Sequence, residues 1–121
     1  MKFKKITLNY KNKKIQLKVQ KLSKIEMFKG LMFEKKENSY IKLFEFPYNS
    51  KWKIHSCFVF FSFLAVWLDD KNNIIEIKTI KPWKLSITPK KKFKKLVEIP
   101  LNNKNFSVTK FLVEGRERFK K

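Results

Sequence analysis

Residues 54–68 read Ile54-His55-Ser56-Cys57-Phe58-Val59-Phe60-Phe61-Ser62-Phe63-Leu64-Ala65-Val66-Trp67-Leu68, without a Lys, Arg, Asp or Glu, in a chain whose net charge is +20. A membrane helix needs about 20 mostly apolar residues. This run is shorter and contains His55, Ser56, Cys57 and Ser62. Its aromatic and β-branched side chains fall on both faces of an extended chain. That suits central strands covered on both sides, and two are expected, over 54–61 and 63–68.

The pattern continues outward from this run. Asp69-Asp70-Lys71-Asn72-Asn73 has turn composition, and 74–80 should pair back as the next strand until Pro82 ends it. Upstream, 41–46 reads as a strand stopped by Pro47. Ile6, Leu8 and Tyr10 alternate with polar residues, as do Ile15, Leu17 and Val19, and Lys11-Asn12 separates the two runs. This is a hairpin signal. Ser23-Lys24-Ile25-Glu26 fits a capping box, and Gly30 can end the helix it starts, so one short helix is expected near 24–29. Downstream, 84–95 reads as an irregular basic stretch and 95–99 as a short strand before Pro100. Asn102 to Asn105 should turn the chain, and 106–113 should close the sheet. The expectation is a single mainly β domain over 1–121, barrel-like or a sandwich, with about seven or eight strands and one short helix. Gly115 would begin a basic tail, 116–121.

Several short boxes sit on this framework. They are Gly30-Leu31-Met32-Phe33 after the helix, Leu43-Phe44-Glu45-Phe46, the set Trp52, Ile54, His55 and Phe58, then Val66-Trp67-Leu68-Asp69. Lys81-Pro82-Trp83 and Leu96-Val97-Glu98-Ile99-Pro100 complete the series. In order and spacing, from about residue 23 to 115, they resemble the domain of unknown function 192 family, small domains of bacteria and archaea. The resemblance implies a compact, mainly β fold and no assigned activity. The chain departs from that family at three places. Glu34 stands where Arg is frequent, Leu64 where Asp is usual, and Asn102-Asn103 where Gly is usual. If that Arg and Asp serve one shared polar site, this chain has lost much of it.

The charge admits two readings. A strongly basic chain normally points to nucleic acid or an anionic membrane. Yet Lys, Asn, Ile and Phe make up 61 of the 121 residues, while Ala occurs once and Gly twice, the signature of AT-rich codons. Thirty positive charges spread evenly over about 7,000 Å² of surface would lie roughly 15 Å apart, beyond the ~8 Å Debye length at physiological salt. Only clusters would then hold phosphates. Cys57 is the one cysteine, so neither an intrachain disulfide nor a thiolate cluster can form. The stretch Met1-Lys2-Phe3-Lys4-Lys5 lacks an apolar signal core, and a cytoplasmic location without a membrane span is expected.

Lys90, Lys91, Lys92, Phe93, Lys94 and Lys95 form the densest basic run. Either it binds a nucleic acid or another polyanion, with Phe93 stacking on a base, or it is a solvated loop. A second candidate is a pocket bounded by Gly30, Met32, Phe33, His55 and Trp83. The competing reading makes Gly30 a helix stop followed by core anchors. Trp52 and Trp83 are read as rim packing or stacking platforms. His55 and Cys57 would share a strand face, but no third orienting group accompanies them. Glu98, inside an apolar strand, is the one acid whose setting invites a perturbed pKa, although a surface-facing Glu on an edge strand would look the same. No phosphate-binding glycine loop, metal-ligand set or catalytic carboxylate pair is present. Neither a catalytic residue nor a cofactor is assigned. The chain reads as a non-catalytic β domain with weak polyanion binding through its lysines, or alternatively as a small-molecule or protein-binding module.

Overall fold

The computed structural model describes the backbone of residues 2–118, and their side chains except those of 24, 25, 28, 48 and 115–118. Six strands form one sheet: β1 (Lys2–Tyr10), β2 (Lys13–Lys21), β3 (Lys42–Ser50), β4 (Phe63–Leu68), β5 (Ile74–Ile80) and β6 (Phe93–Pro100). Their order across the sheet is β1-β2-β3-β6-β4-β5, antiparallel except for the short parallel β2–β3 pair. The outermost strands meet at one end, where Asn9 bridges Asn73 and the Asn9 amide donates to the Asn72 carbonyl at 2.9 Å. Helix α1 (Lys24–Lys29) follows β2 and α2 (Phe106–Arg118) follows β6.

The domain is mainly β with a short helix at the expected place. Lys11 and Asn12 both take positive φ, 49° and 68°, the geometry of the tight hairpin turn that matches strand twist. Ser23 accepts from the Glu26 amide while the Glu26 carboxylate accepts from the Ser23 amide, at 3.2 and 2.9 Å, closing the capping box. β4 is buried at every position. Leu64, Val66 and Leu68 face one hydrophobic cluster, and Phe63, Ala65 and Trp67 face another.

Four expectations need correction. Residues 54–61 do not form a strand. Apart from an isolated bridge between Ile54 and Ile87, they are a loop that buries Ile54, Ser56, Val59 and Phe61 over the second cluster and leaves His55, Phe58 and Phe60 exposed. The Val59 amide donates to the Ser56 carbonyl at 3.1 Å and Phe58 takes a φ of 61°, a tight turn that no extended strand contains. Residues 106–113 are helical. Val108, Phe111 and Leu112 follow the i, i+3, i+4 spacing and pack on the first cluster, so helical periodicity prevails over alternation. Asn102 holds the turn before α2. Its carbonyl oxygen accepts from the Asn105 amide, and its amide group donates to the carbonyls of Lys36 and Ser39. The helix runs through Gly115 to Arg118, so the basic tail begins inside it, and 119–121 lie outside the described residues. Pro47 does not stop β3, which continues to Ser50 with a register shift against β6. The described strands therefore number six, in one sheet covered on both faces rather than in two stacked sheets. Among the described residues, no helix is long and apolar enough to cross a membrane.

Candidate functional site

The sheet register places one polar row inside the second cluster. Gln20 on β2 is opposite Lys42 on β3, Lys42 is opposite Glu98 on β6, and Glu98 is opposite Ala65 on β4. β6 is an interior strand, so Glu98 is no edge residue, and it is buried. The small Ala65 leaves room above it. Lys42 is buried too. Its ammonium hydrogen-bonds the Gln20 side chain and pairs with Glu34 at 2.9 Å. Glu34 also accepts from the Ser39 hydroxyl at 2.6 Å and pairs with Lys29 at 3.3 Å. Burial alone would raise the Glu34 pKa, but the Ser39 hydroxyl and the Lys42 ammonium outweigh it and hold the carboxyl below its ordinary value. Glu98 goes the other way. Burial pushes its pKa up to about 8, Lys42 opposing and the Glu34 charge adding. At neutral pH its carboxyl is therefore largely protonated and can donate a hydrogen bond.

A cleft of about 180 Å³ opens over Glu98. Helix α1 ends there at Gly30, whose φ of 52° and ψ of −121° favour glycine. A Cβ on Gly30 would lie 3.4 Å from both the Glu98 carboxylate and the Phe44 ring. Leu31, Met32, Val59 and Phe63 make apolar walls, while Trp52, His55, Lys29 and Lys53 stand at the rim. The structure brings Gly30, Met32 and His55 to one cleft, together with Glu98 and Trp52. Phe33 and Trp83 do not line the cleft.

Those two belong to an aromatic cluster beside it. Phe33 stacks on Phe58 at 5.1 Å, Phe58 meets Trp83 edge-on at 4.8 Å, and Phe60 meets Trp83 at 6.1 Å. All four rings are exposed, between 43% and 63%. Phe33, Phe58 and Trp83 each hold a positive φ, 62°, 61° and 64°, a conformation that costs bulky residues about 1–3 kcal/mol each. Hydrogen bonds sustain the strain. The Phe33 amide donates to the Phe58 carbonyl, and the Trp83 amide to the Ser56 carbonyl. The Ser56 hydroxyl donates to the Lys81 carbonyl at 2.6 Å and accepts from the Lys84 amide at 2.7 Å.

His55 and Cys57 are not neighbours on a strand face. The Cys57 amide donates to His55 Nδ1 at 3.2 Å, and the thiol is partly exposed. The basic run is divided. Lys90, Lys91 and Lys92 are exposed on the β5–β6 connection. Phe93 is fully buried in the second cluster, edge-on to Phe46 and Trp67, so it presents no face to a base. Lys94 donates to the Pro47 carbonyl and Lys95 to the Asn72 side chain. The positions where the family carries Arg and Asp do not share a site either. Leu64 faces the α2 side of the sheet and Glu34 the cleft side. Sequence reasoning missed Lys42, whose signal was a charge on the strand face of Phe44 and Phe46, and Gln20, which follows Lys14, Gln16 and Lys18 on a polar face and gave no signal.

The fold is that of a small, mainly β domain. No family model matches it. The UPF0127 protein TK1120 of Thermococcus kodakarensis is 32% identical over 79 residues, which cover 64% of this chain and 49% of that relative, so the match spans about half the relative's length. A protein of unknown function from Novosphingobium aromaticivorans has a similar fold, with a TM-score of 0.69, 10% identity, and 88% of this chain and 79% of that one covered. A Sinorhizobium meliloti protein, named provisionally as a transcription regulator, has a TM-score of 0.65 at 12% identity, over 78% of this chain and 76% of that one. At such identities the likeness concerns the fold alone.

Proposed function

We propose that this domain is a small-ligand-binding module related to the domain of unknown function 192 group, with its ligand in the Glu98 cleft. The UPF0127 relative and the order of the boxes support the relationship. The observation that carries the binding reading is Glu98 itself, a buried carboxyl beneath an open cleft. A buried acid is costly unless it is satisfied, and a bound acceptor would satisfy it. The volume is near that of cavities, about 150 Å³, known to take benzene. The protonated carboxyl offers one donor, and Lys29 and Lys53 at the rim favour an anion. A single-ring aromatic carboxylate fits this set. Protein-observed NMR with benzoate, benzamide and benzylamine tests it. Benzoate should shift the amides of Gly30, Leu31 and His55 and the Trp52 indole, and benzylamine should not. Failure of all three at millimolar concentration, or shifts elsewhere on the domain, would reject the reading.

A second reading, weak polyanion binding through the 90–95 run, is favoured by the exposure of Lys90, Lys91 and Lys92. It calls for affinity that falls steeply with salt and is lost when Lys90, Lys91, Lys92, Lys94 and Lys95 become Gln. Salt-independent binding, or none at low salt, excludes it.

A further inference from the structure

The β1–β2 hairpin carries eight lysines and no acidic residue in twenty positions, and the first acid in the chain is Glu26. Alternation sends Ile6, Leu8, Tyr10, Leu17 and Val19 inward. Phe3, Lys5, Thr7, Lys14, Gln16 and Lys18 lie on the opposite face and are exposed. This face continues the side of the sheet that bears the cleft, because Phe3 is opposite Gln20 in the polar row. Lys5 and Lys18 are direct cross-strand partners. Like charges in that position repel, and no acid on the hairpin relieves them. Lys4 and Lys21, which reach the Glu45 carboxylate, point to the other face.

Two exposed rings stand at the end of this stripe. Phe3 is 38% and Tyr40 43% exposed, and they meet edge-to-face at 5.1 Å. The Lys18 ammonium lies over the Phe3 ring, 5.2 Å from its centre, and that of Lys104 lies over the Tyr40 ring at 4.8 Å. Each ammonium covers a ring face as a cation–π partner, and an arriving phosphate would draw it aside and open that face to a stacked base. From the Phe3–Gln20 pair to the Asn9–Lys14 pair the stripe runs six residues, roughly 20 Å at the rise of an extended strand. It is a one-sided track with charges at intervals and rings at one end. A duplex offers phosphates but keeps its base faces stacked inside, so the rings select for an unpaired strand.

We propose that the outer face of the β1–β2 hairpin, with Phe3, Tyr40, Lys5, Lys14, Lys18 and Lys104, binds single-stranded nucleic acid, bases on the rings and phosphates on the lysines. The site uses neither the Glu98 cleft nor the 90–95 run, so it stands or falls apart from both readings above.

Fluorescence anisotropy of the full chain with a labelled oligothymidine of about fifteen nucleotides tests it at about 50 and 200 mM salt. Binding should weaken steeply with salt. K5Q/K18Q should reduce the log–log salt slope by about 1.4, two phosphates at about 0.7 each for a single strand. F3A and Y40A should each weaken binding between about fivefold and a hundredfold, with the slope unchanged, and F3W should retain it. K90Q/K91Q/K92Q and E98Q should leave affinity as it is. A labelled duplex of equal length should bind more weakly. The proposal is overturned by an absence of binding at the lower salt, by indifference to both F3A and Y40A, or by loss confined to K90Q/K91Q/K92Q. Equal affinity for inorganic polyphosphate, or for vesicles of anionic lipid, would also overturn it.

Discussion

Replacing Glu98 by Gln should change how stability depends on pH. The amide keeps the shape of the protonated carboxyl and removes the charge that burial opposes. In the folded chain the Glu98 pKa is raised from 4.5 to about 8. A group whose pKa is higher in the folded state contributes its full stability below the unfolded value and loses it as pH rises through the folded value. The wild type should therefore become progressively less stable from about pH 4.5 to about pH 8. At 1.36 kcal/mol for each pH unit, the whole interval amounts to an upper limit on the order of 5 kcal/mol. Relaxation around the ionised carboxylate and its attraction to Lys42 bring the realised figure below that limit. Glu34, Glu45 and Asp69 have lowered pKa values, so their stabilisation is lost on the acid side as pH falls. They are common to both proteins and cancel in the difference. Urea unfolding followed by tryptophan fluorescence at pH 5, 6, 7, 8 and 9 supplies the comparison. Glu98→Gln should match the wild type within about 1 kcal/mol at pH 5 and exceed it by several kcal/mol at pH 9. Two stability curves that run parallel across this range would mean that Glu98 is ionised in the folded chain at neutral pH.

Three further outcomes are expected. Gly30→Ala should destabilise by about 1–3 kcal/mol, because its positive φ strains any side chain and the new Cβ meets Glu98 and Phe44. A neutral or stabilising result in urea unfolding would show that the helix does not end this way. Ser56→Ala strands the Lys81 carbonyl and the Lys84 amide, costing about 1–3 kcal/mol for each group left unpaired, and it should speed amide exchange at Trp83 and Lys84. Unchanged exchange would disprove the tether. Leu112→Ala removes a fully buried side chain and should cost about 2–5 kcal/mol in urea unfolding. A loss below about 0.5 kcal/mol would mean that α2 does not pack on the sheet.

The elements carried by local chemistry were readable in the sequence. Lys11-Asn12 encodes its own turn, Ser23 and Glu26 their own cap, and Asp69 its own loop, accepting from the Lys71 and Asn73 amides. The two-sided burial of β4 followed from unbroken apolar composition. What failed was the choice between periods where both fit. Residues 106–113 alternate at Phe106 and Val108 yet also place Val108, Phe111 and Leu112 on one helical face. Tertiary packing and the Asn102 turn decide the outcome. Over 54–61, β-branched and aromatic residues suggested a strand, but the buried Ser56 spends its hydrogen bonds on the 81–84 loop. At the site, Gly30, Met32, His55 and the setting of Glu98 were legible from the boxes. Lys42 and Gln20 were not, since their approach to Glu98 depends on strand order β2-β3-β6, which no local pattern encodes. Phe93 looked like part of a basic surface because its neighbours are lysines. Strand alternation turns its ring inward.

Glu98 lies protonated at the base of the cleft that Gly30, Leu31, Met32 and His55 line. A site-resolved carbon-13 NMR titration of the Glu98 side-chain carboxyl measures that directly. The midpoint should lie near pH 8. A midpoint at the ordinary carboxylate value of 4.5 would contradict it.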